Sequence, residues 1–219
     1  MEKSSKPYVI LSAAISIDGK IATEAGDSKL SSDEDCFRLH KLRSKVDGIL
    51  IGKNTVLQDD PLLTVRHTRG KNPIRIILDS KGSIPSKSKI LQTSKQVPTI
   101  IAVSKTITKF NLERLRKFPV DIIVTGEKSV NIRSLLKKLL DKKISTILVE
   151  GGGTTNWEFI KQNYFDELII TLSPFLLGGN NAISFVQGDG FDKISKSPNL
   201  RLKSIKKLQN HLVLNYVKV

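Results

Sequence analysis

The chain has 219 residues, of which 36 are Lys or Arg and 21 are Asp or Glu, giving a formal charge of +15. The apolar share is 39 %, and the 14 glycines bring it to about 45 %, an ordinary globular value rather than that of a disordered chain. The length allows one large α/β domain or two small ones, and the single cysteine, Cys36, excludes an intramolecular disulfide framework and a multi-cysteine zinc site.

The first residues, MEKSSKP, contain no apolar run, so no secretory leader is expected, and residues 1–6 are expected to form a flexible tail. No apolar stretch approaches the roughly 18–20 residues of a membrane helix. A cytoplasmic protein without a membrane partner is the expectation. The lysines are spread along the chain, there is no arginine-rich arm, and aromatics are only 5 %. A basic surface that attracts phosphorylated small molecules is therefore favoured over a nucleic-acid-binding module, the alternative from another functional class.

Short β-branched blocks bounded by turn residues read as buried strands. The first, residues 8–16, holds Ala13 and Ala14, which leave room beside the backbone for a flat ring or for a closely packed helix. Residues 32–45 read as a helix, opened by Ser32 and Asp35 in a capping-box-like start and carrying Phe37, Leu39 and Leu42 among charges. His40 on this helix is expected to be solvated and Cys36 to be a small packing residue. A strand over 47–52 runs into GKNTVLQDDP, where Lys53 and Thr55 are placed to hold a phosphate or ribose at a strand end. Asp59 and Asp60 before Pro61 read equally as plain turn chemistry, and no metal site is expected there.

Further strands follow at 74–80, 99–104 and 120–125. The first two end in Asp79-Ser80-Lys81 and Ser104-Lys105, each either a ribose contact or an ordinary strand end. Residues 83–96 read as a surface loop. Helices are predicted over 111–117, 132–140 and 154–162, and strands over 145–150, 167–173, 201–208 and 211–218. The last two are joined by a tight Gln209-Asn210 turn. Alternating strands and helices predict an α/β fold with a mostly parallel central sheet, helices on both faces and an antiparallel C-terminal end, in a single domain spanning 1–219.

The segment ILVEGGGTTNWEFI is the most informative. A buried strand runs into three glycines and then a helix, so the backbone can approach a phosphate at a helix N-terminus. The letters are neither a dinucleotide-binding GxGxxG nor a P-loop, and a tight structural turn accounts for the glycines equally.

In order, SIDGKIA, GDSKLSS, TVLQDDPLLTV, PIRIILDS, LVEGGGTTNWEFI and DELIITLSPFLLGG resemble the riboflavin-pathway reductases of the dihydrofolate-reductase-like fold. These include the stand-alone archaeal and fungal enzymes and the C-terminal domain of the bacterial bifunctional deaminase-reductase. The likeness runs from about Pro7 to the C-terminus. It implies NADPH as cofactor and reduction of the ribosyl group of 2,5-diamino-6-(5-phosphoribosylamino)pyrimidin-4(3H)-one to ribityl, with hydride delivered to C1′. One cysteine cannot supply a zinc deaminase, so the resemblance is to the stand-alone form.

Carried over by position, the resemblance implies cofactor contacts at Ala14, Thr55, Asp59, Asp79, Ser80, Lys81, Gly82, Gly151, Gly152, Gly153 and Thr154, to which the strand-end reading adds Lys53. It implies substrate contacts at Ser28, Arg43, Leu63, Arg66 and Glu150. The proton donor is open between Asp59, Glu150, water and the substrate itself. Lys53, Lys81 and Lys105 favour a 2′-phosphate on the cofactor. A homodimer through residues 166–179 and the C-terminal strands is implied as well. The chain departs from archaeal forms at Ser12, where an amide is common, and from bacterial forms at Leu30, where an aromatic is common. The rival within enzymes is dihydrofolate reduction, which wants a first-helix carboxylate; Asp33, Glu34 and Asp35 stand in that region.

Overall fold

The computed structural model describes residues 5–219. The expected tail at 1–6 therefore falls mostly outside the described residues. Its last member, Lys6, pairs with Asp166.

Nine strands form one sheet. They are β1 (Tyr8–Ile15), β3 (Gly48–Gly52), β4 (Ile74–Leu78), β5 (Thr99–Val103), β6 (Asp121–Val124), β7 (Thr146–Val149), β8 (Glu167–Leu172), β10 (Leu200–Leu208) and β11 (His211–Lys218). The order is β10-β11-β8-β1-β7-β3-β4-β5-β6. All neighbours from β8 to β6 are parallel. The strands β11 and β10 close the sheet antiparallel, as the tight turn between them predicts. Every residue of β3 is buried, as befits an interior parallel strand covered on both faces.

The helices divide between the faces. On one side α5 (Ile132–Asp141) and α6 (Gly153–Lys161) cover Val9, Leu11, Leu50, Ile76, Ile147 and Val149. The apolar stripe Ile132, Leu135, Leu136 and Leu139 on α5 falls at helical spacing and is buried throughout. On the other side lie α1 (Asp33–Arg43), α2 (Lys53–Asp59), α3 (Lys89–Gln92) and α4 (Lys109–Leu115). They pack on the alternate residues Ile10, Ile49, Ile51, Ile77, Ile101 and Leu148. The period of two along each strand thus feeds two separate cores.

Several boundaries depart from the sequence expectation. The segment after β3 is helical from its first residue, because α2 is short, polar and capped by a glycine with no side-chain cap, leaving only Val56 buried. The stretch 83–96 is not a surface loop: Ile84, Ile90 and Leu91 anchor it in the core and α3 lies within it. The helix expected over 111–117 starts earlier, where Thr108 accepts the Asn111 N–H as its N-cap. A small second sheet pairs β2 (Lys20–Ala22) with β9 (Ile183–Ser184), two strands too short to show periodicity.

Candidate active site

The strand β7 lies between β1 and β3, and a cavity of about 640 Å³ opens beyond the carboxyl ends of β1, β3, β4 and β7. Two loops at its centre are tied together. The Gly52 N–H donates to Gly151 O (3.0 Å), and the Gly152 N–H donates to Thr55 Oγ1 (2.9 Å). Thr55 is thus a fastener of the glycine loop as well as a lining residue.

The three glycines do different jobs. Gly151 adopts φ +83°, a conformation that side chains resist, and the peptide between Gly151 and Gly152 is cis. A Cβ on Gly153 would lie 2.4 Å from the carbonyl oxygen of Ser184. A Cβ on Gly152 would meet nothing closer than 3.5 Å, and Gly152 is the one of the three left partly exposed. Gly152 is also the N-cap of the nine-residue α6, and no side chain caps that end. The free N–H groups of the first turn and the positive end of the helix dipole therefore meet the cavity beside Gly152.

Of the residues singled out in the sequence, Ala14, Ser28, Lys53, Thr55, Asp59, Asp79, Ser80, Lys81, Glu150, Gly151, Gly152, Gly153 and Thr154 all line this cavity. Asp79 is buried and turned into its own loop, where it accepts from the Ile84 N–H (2.7 Å) and the Ser83 hydroxyl (3.2 Å). Asp59 is exposed on the cavity rim with no ion-pair partner among the described residues, and partial desolvation raises its carboxyl pKa from the ordinary value.

Four others stand outside the lining. Gly82, at φ +61°, is buried against Ile107 and Leu115 as a turn residue. Leu63 packs in the core beneath α2. Arg43 is buried behind the wall and grips Glu150 with two hydrogen bonds, Nε to Oε1 (2.7 Å) and Nη2 to Oε2 (2.6 Å). Arg66 is exposed, with its Nη1 donating to Thr64 Oγ1 (3.0 Å).

His40 corrects the expectation of a solvated ring: it is buried, with 4 % of its surface exposed. Its Nδ1 accepts the backbone N–H of Arg66 (2.9 Å). A backbone N–H only donates, so the neutral ring carries its proton on Nε2. Burial first, then the nearby Arg43, lowers the His40 pKa to about 4. Helix α1 thus braces the segment that carries Arg66.

Sequence reading names the acidic residues opening α1 only as a feature the dihydrofolate-reduction rival would need, and it gives Arg38, Thr171 and Asn156 no role. Of the three acidic residues opening α1, Asp33 and Glu34 are exposed, while Asp35 is buried at the cavity wall. Asp35 accepts from Arg38 Nε (2.7 Å), the Thr171 hydroxyl (2.7 Å) and the Ser31 hydroxyl (2.8 Å). Arg38 lines the cavity as well. Asn156, the last letter of the GGGTTN motif, lines it on the glycine side and donates to Phe185 O (2.8 Å). Among the described residues no group of three or more His, Cys, Asp or Glu is placed to hold a metal ion.

With this geometry in view, the comparisons with known proteins agree on one relationship. The family model described as the RibD C-terminal domain matches residues 7–214. The Aquifex aeolicus protein named 2,5-diamino-6-ribosylamino-4(3H)-pyrimidinone 5′-phosphate reductase is 40 % identical over 204 residues, covering 91 % of each chain. A crystal structure from Thermotoga maritima, described as a diaminohydroxyphosphoribosylaminopyrimidine deaminase/5-amino-6-(5-phosphoribosylamino)uracil reductase, superposes with a TM-score of 0.81 at 26 % identity. That match covers 98 % of this chain but 57 % of the other, so this chain spans little more than half of that bifunctional protein. An Enterococcus faecalis dihydrofolate reductase complexed with NADP(H) gives a TM-score of 0.56 at 14 % identity over 96 % of each chain, a likeness of fold alone.

Proposed function

The chain belongs to the RibD C-terminal domain family, and from that premise we propose that it is the oxidoreductase of riboflavin biosynthesis that reduces the ribosyl group of 2,5-diamino-6-ribosylamino-4(3H)-pyrimidinone 5′-phosphate. Likeness over 91 % of both chains to a relative bearing that activity in its name supports the substrate class. The reading assigns NADPH as the hydride source, C1′ as the acceptor carbon, the cytoplasm as the compartment and a homodimer as the working form. The exposed Leu202 and Ile205 on the edge strand β10 support the last of these, and sedimentation would test it. No helix among the described residues is long and apolar enough to cross a membrane.

The residues present fit a dinucleotide. The observation that carries this is Gly152: a partly exposed glycine on the cavity wall, at the uncapped start of α6, where a Cβ would project into the space a pyrophosphate needs. The N–H groups of α6's first turn would hold the pyrophosphate. Lys53 and Lys81, both on the wall, would meet the phosphate of the adenosine end, and the backbone of Ala14 would meet the nicotinamide carboxamide.

When bound, the reduced nicotinamide supplies a hydride; the protein's part is alignment and proton control. Glu150 is committed as an acceptor to two donors of Arg43, so it serves as a fixed negative wall for donors of the substrate. Ring opening breaks C1′–O4′ and moves the N–H proton to O4′, leaving a C1′=N bond. Asp59, a cavity-lining carboxylate whose pKa partial desolvation raises, is assigned to pass a proton to that nitrogen as C1′ takes the hydride.

Calorimetric titration with NADPH tests the cofactor assignment. The account expects saturable heat with NADPH and a weaker response with NADH. No heat with either would overturn it.

A further inference from the structure

The cavity wall formed by β1, β8 and α1 holds a donor set that neither the sequence motifs nor the cofactor site explains. Ser12 is 3 % exposed and lines the cavity, yet its Oγ has no hydrogen-bond partner among the described residues. A buried hydroxyl left unpaired costs stability unless something else satisfies it. Thr171 pairs directly with Ala14, and Ser12 pairs with Ile169, so Ser12, Ala14 and Thr171 share one face of two adjacent strands. Across this face Arg38 donates through Nε to Asp35 and through Nη2 to Thr171 Oγ1 (3.2 Å). Those bonds fix the plane of the guanidinium and leave its Nη1 donors without an acceptor among the described residues.

Asp35 itself is closed off. It is 1 % exposed and already accepts three donors, so it holds Arg38 rather than a ligand. The groups left for a ligand are the Ser12 hydroxyl, which can donate or accept, and the free edge of Arg38, which only donates. The proposed substrate offers two kinds of acceptor, a phosphate and a ring carbonyl, and an Arg38 whose charge is already answered by the Asp35 carboxylate suits the neutral carbonyl better than a phosphate dianion. We infer that Arg38 and Ser12 recognise the oxo-bearing edge of that ring, with Asp35 and Thr171 as positioning residues that set Arg38 in place. The inference rests on the proposed function and adds the ring-binding contacts to it.

The test is steady-state kinetics with two substrates, the ribosylaminopyrimidine phosphate and its dephosphorylated nucleoside, alongside NADPH binding and thermal melting. Ser12→Ala removes only an unpartnered hydroxyl. It should leave the melting midpoint no lower and NADPH affinity unchanged, while raising KM by about two- to tenfold for both substrates. Arg38→Met should raise KM by roughly ten- to a hundredfold, again equally for both, with kcat much less affected. Arg38→Lys should recover only part, because a single ammonium cannot keep both anchoring bonds and the free edge. A loss in Arg38→Met confined to the phosphorylated substrate would assign Arg38 to the phosphate and overturn the inference. Unchanged KM in Ser12→Ala and Arg38→Met, with an active wild type, would overturn it alone. An inactive wild type would overturn the functional reading and the inference with it. Should Arg38→Met fail to fold, Ser12→Ala decides.

Discussion

Single residues carry the chemistry of this fold through what they are bound to. Glu150, expected from the sequence to contact the substrate and to be a candidate proton donor, is locked to Arg43. Replacing Glu150 with Gln keeps the shape and removes the charge that Arg43 answers. Turnover should fall at least about tenfold while NADPH affinity changes less, a split that steady-state kinetics beside a binding titration would reveal. Unchanged turnover would remove Glu150 from the reacting set. His40 makes a second prediction. Its folded pKa of about 4 lies below the ordinary 6.5, so the unfolded chain takes up the proton first. The stability it confers is complete above about pH 6.5 and is lost as pH falls toward 4. In His40→Asn, whose amide oxygen can replace Nδ1 as acceptor, melting should depend less steeply on pH across that window. A slope equal to wild type would contradict the role given to His40.

At the scale of elements, the account separates residues that build the loop from those that face the ligand. Gly153→Ala places a methyl against the Ser184 carbonyl and should destabilise the fold by about 1–3 kcal/mol in denaturant titrations. Gly152→Ala should melt close to wild type yet bind NADPH more weakly, because its methyl enters the cavity. The reverse pattern would mean the glycines are turn formers only. Arg75 ties three elements: fully buried on β4, it donates to Ile90 O (2.8 Å) at α3, Val97 O (3.1 Å) before β5 and the Thr99 hydroxyl of β5 (2.7 Å from Nη2). With no carboxylate partner among the described residues, desolvation lowers its pKa to about 10. Arg75→Met leaves these acceptors bare and should cost about 2–4 kcal/mol in the same titration; a change below 1 kcal/mol would contradict its bracing role.

These elements also explain what was legible in the sequence. Long β-branched strands and the Leu135, Leu136 and Leu139 stripe announce themselves by periodicity, as does the glycine-rich turn by composition. The helix α2 and the strands β2 and β9 do not, because seven, three and two residues are too few to show a period. The buried state of His40 and Arg75 was hidden for a different reason. Both satisfy their polarity with backbone groups distant in sequence, which local pattern does not record.

For the whole molecule, the parallel sheet, with helices α1 to α4 on one face and α5 and α6 on the other, brings loops distant in the chain to one rim. Ser12, Glu150 and the glycine turn meet there because β7 inserts between β1 and β3. A basic surface, at +15 overall, suits a cavity expected to receive two phosphorylated molecules at once. The measurement that tests this most directly is the loss of reduced-nicotinamide absorbance when the purified protein meets NADPH and the ribosylaminopyrimidine phosphate, with dihydrofolate in a parallel cell. The account predicts oxidation of NADPH with the pyrimidine, yielding the ribityl product by mass, and none with dihydrofolate. Oxidation with dihydrofolate alone, or with neither, would contradict it.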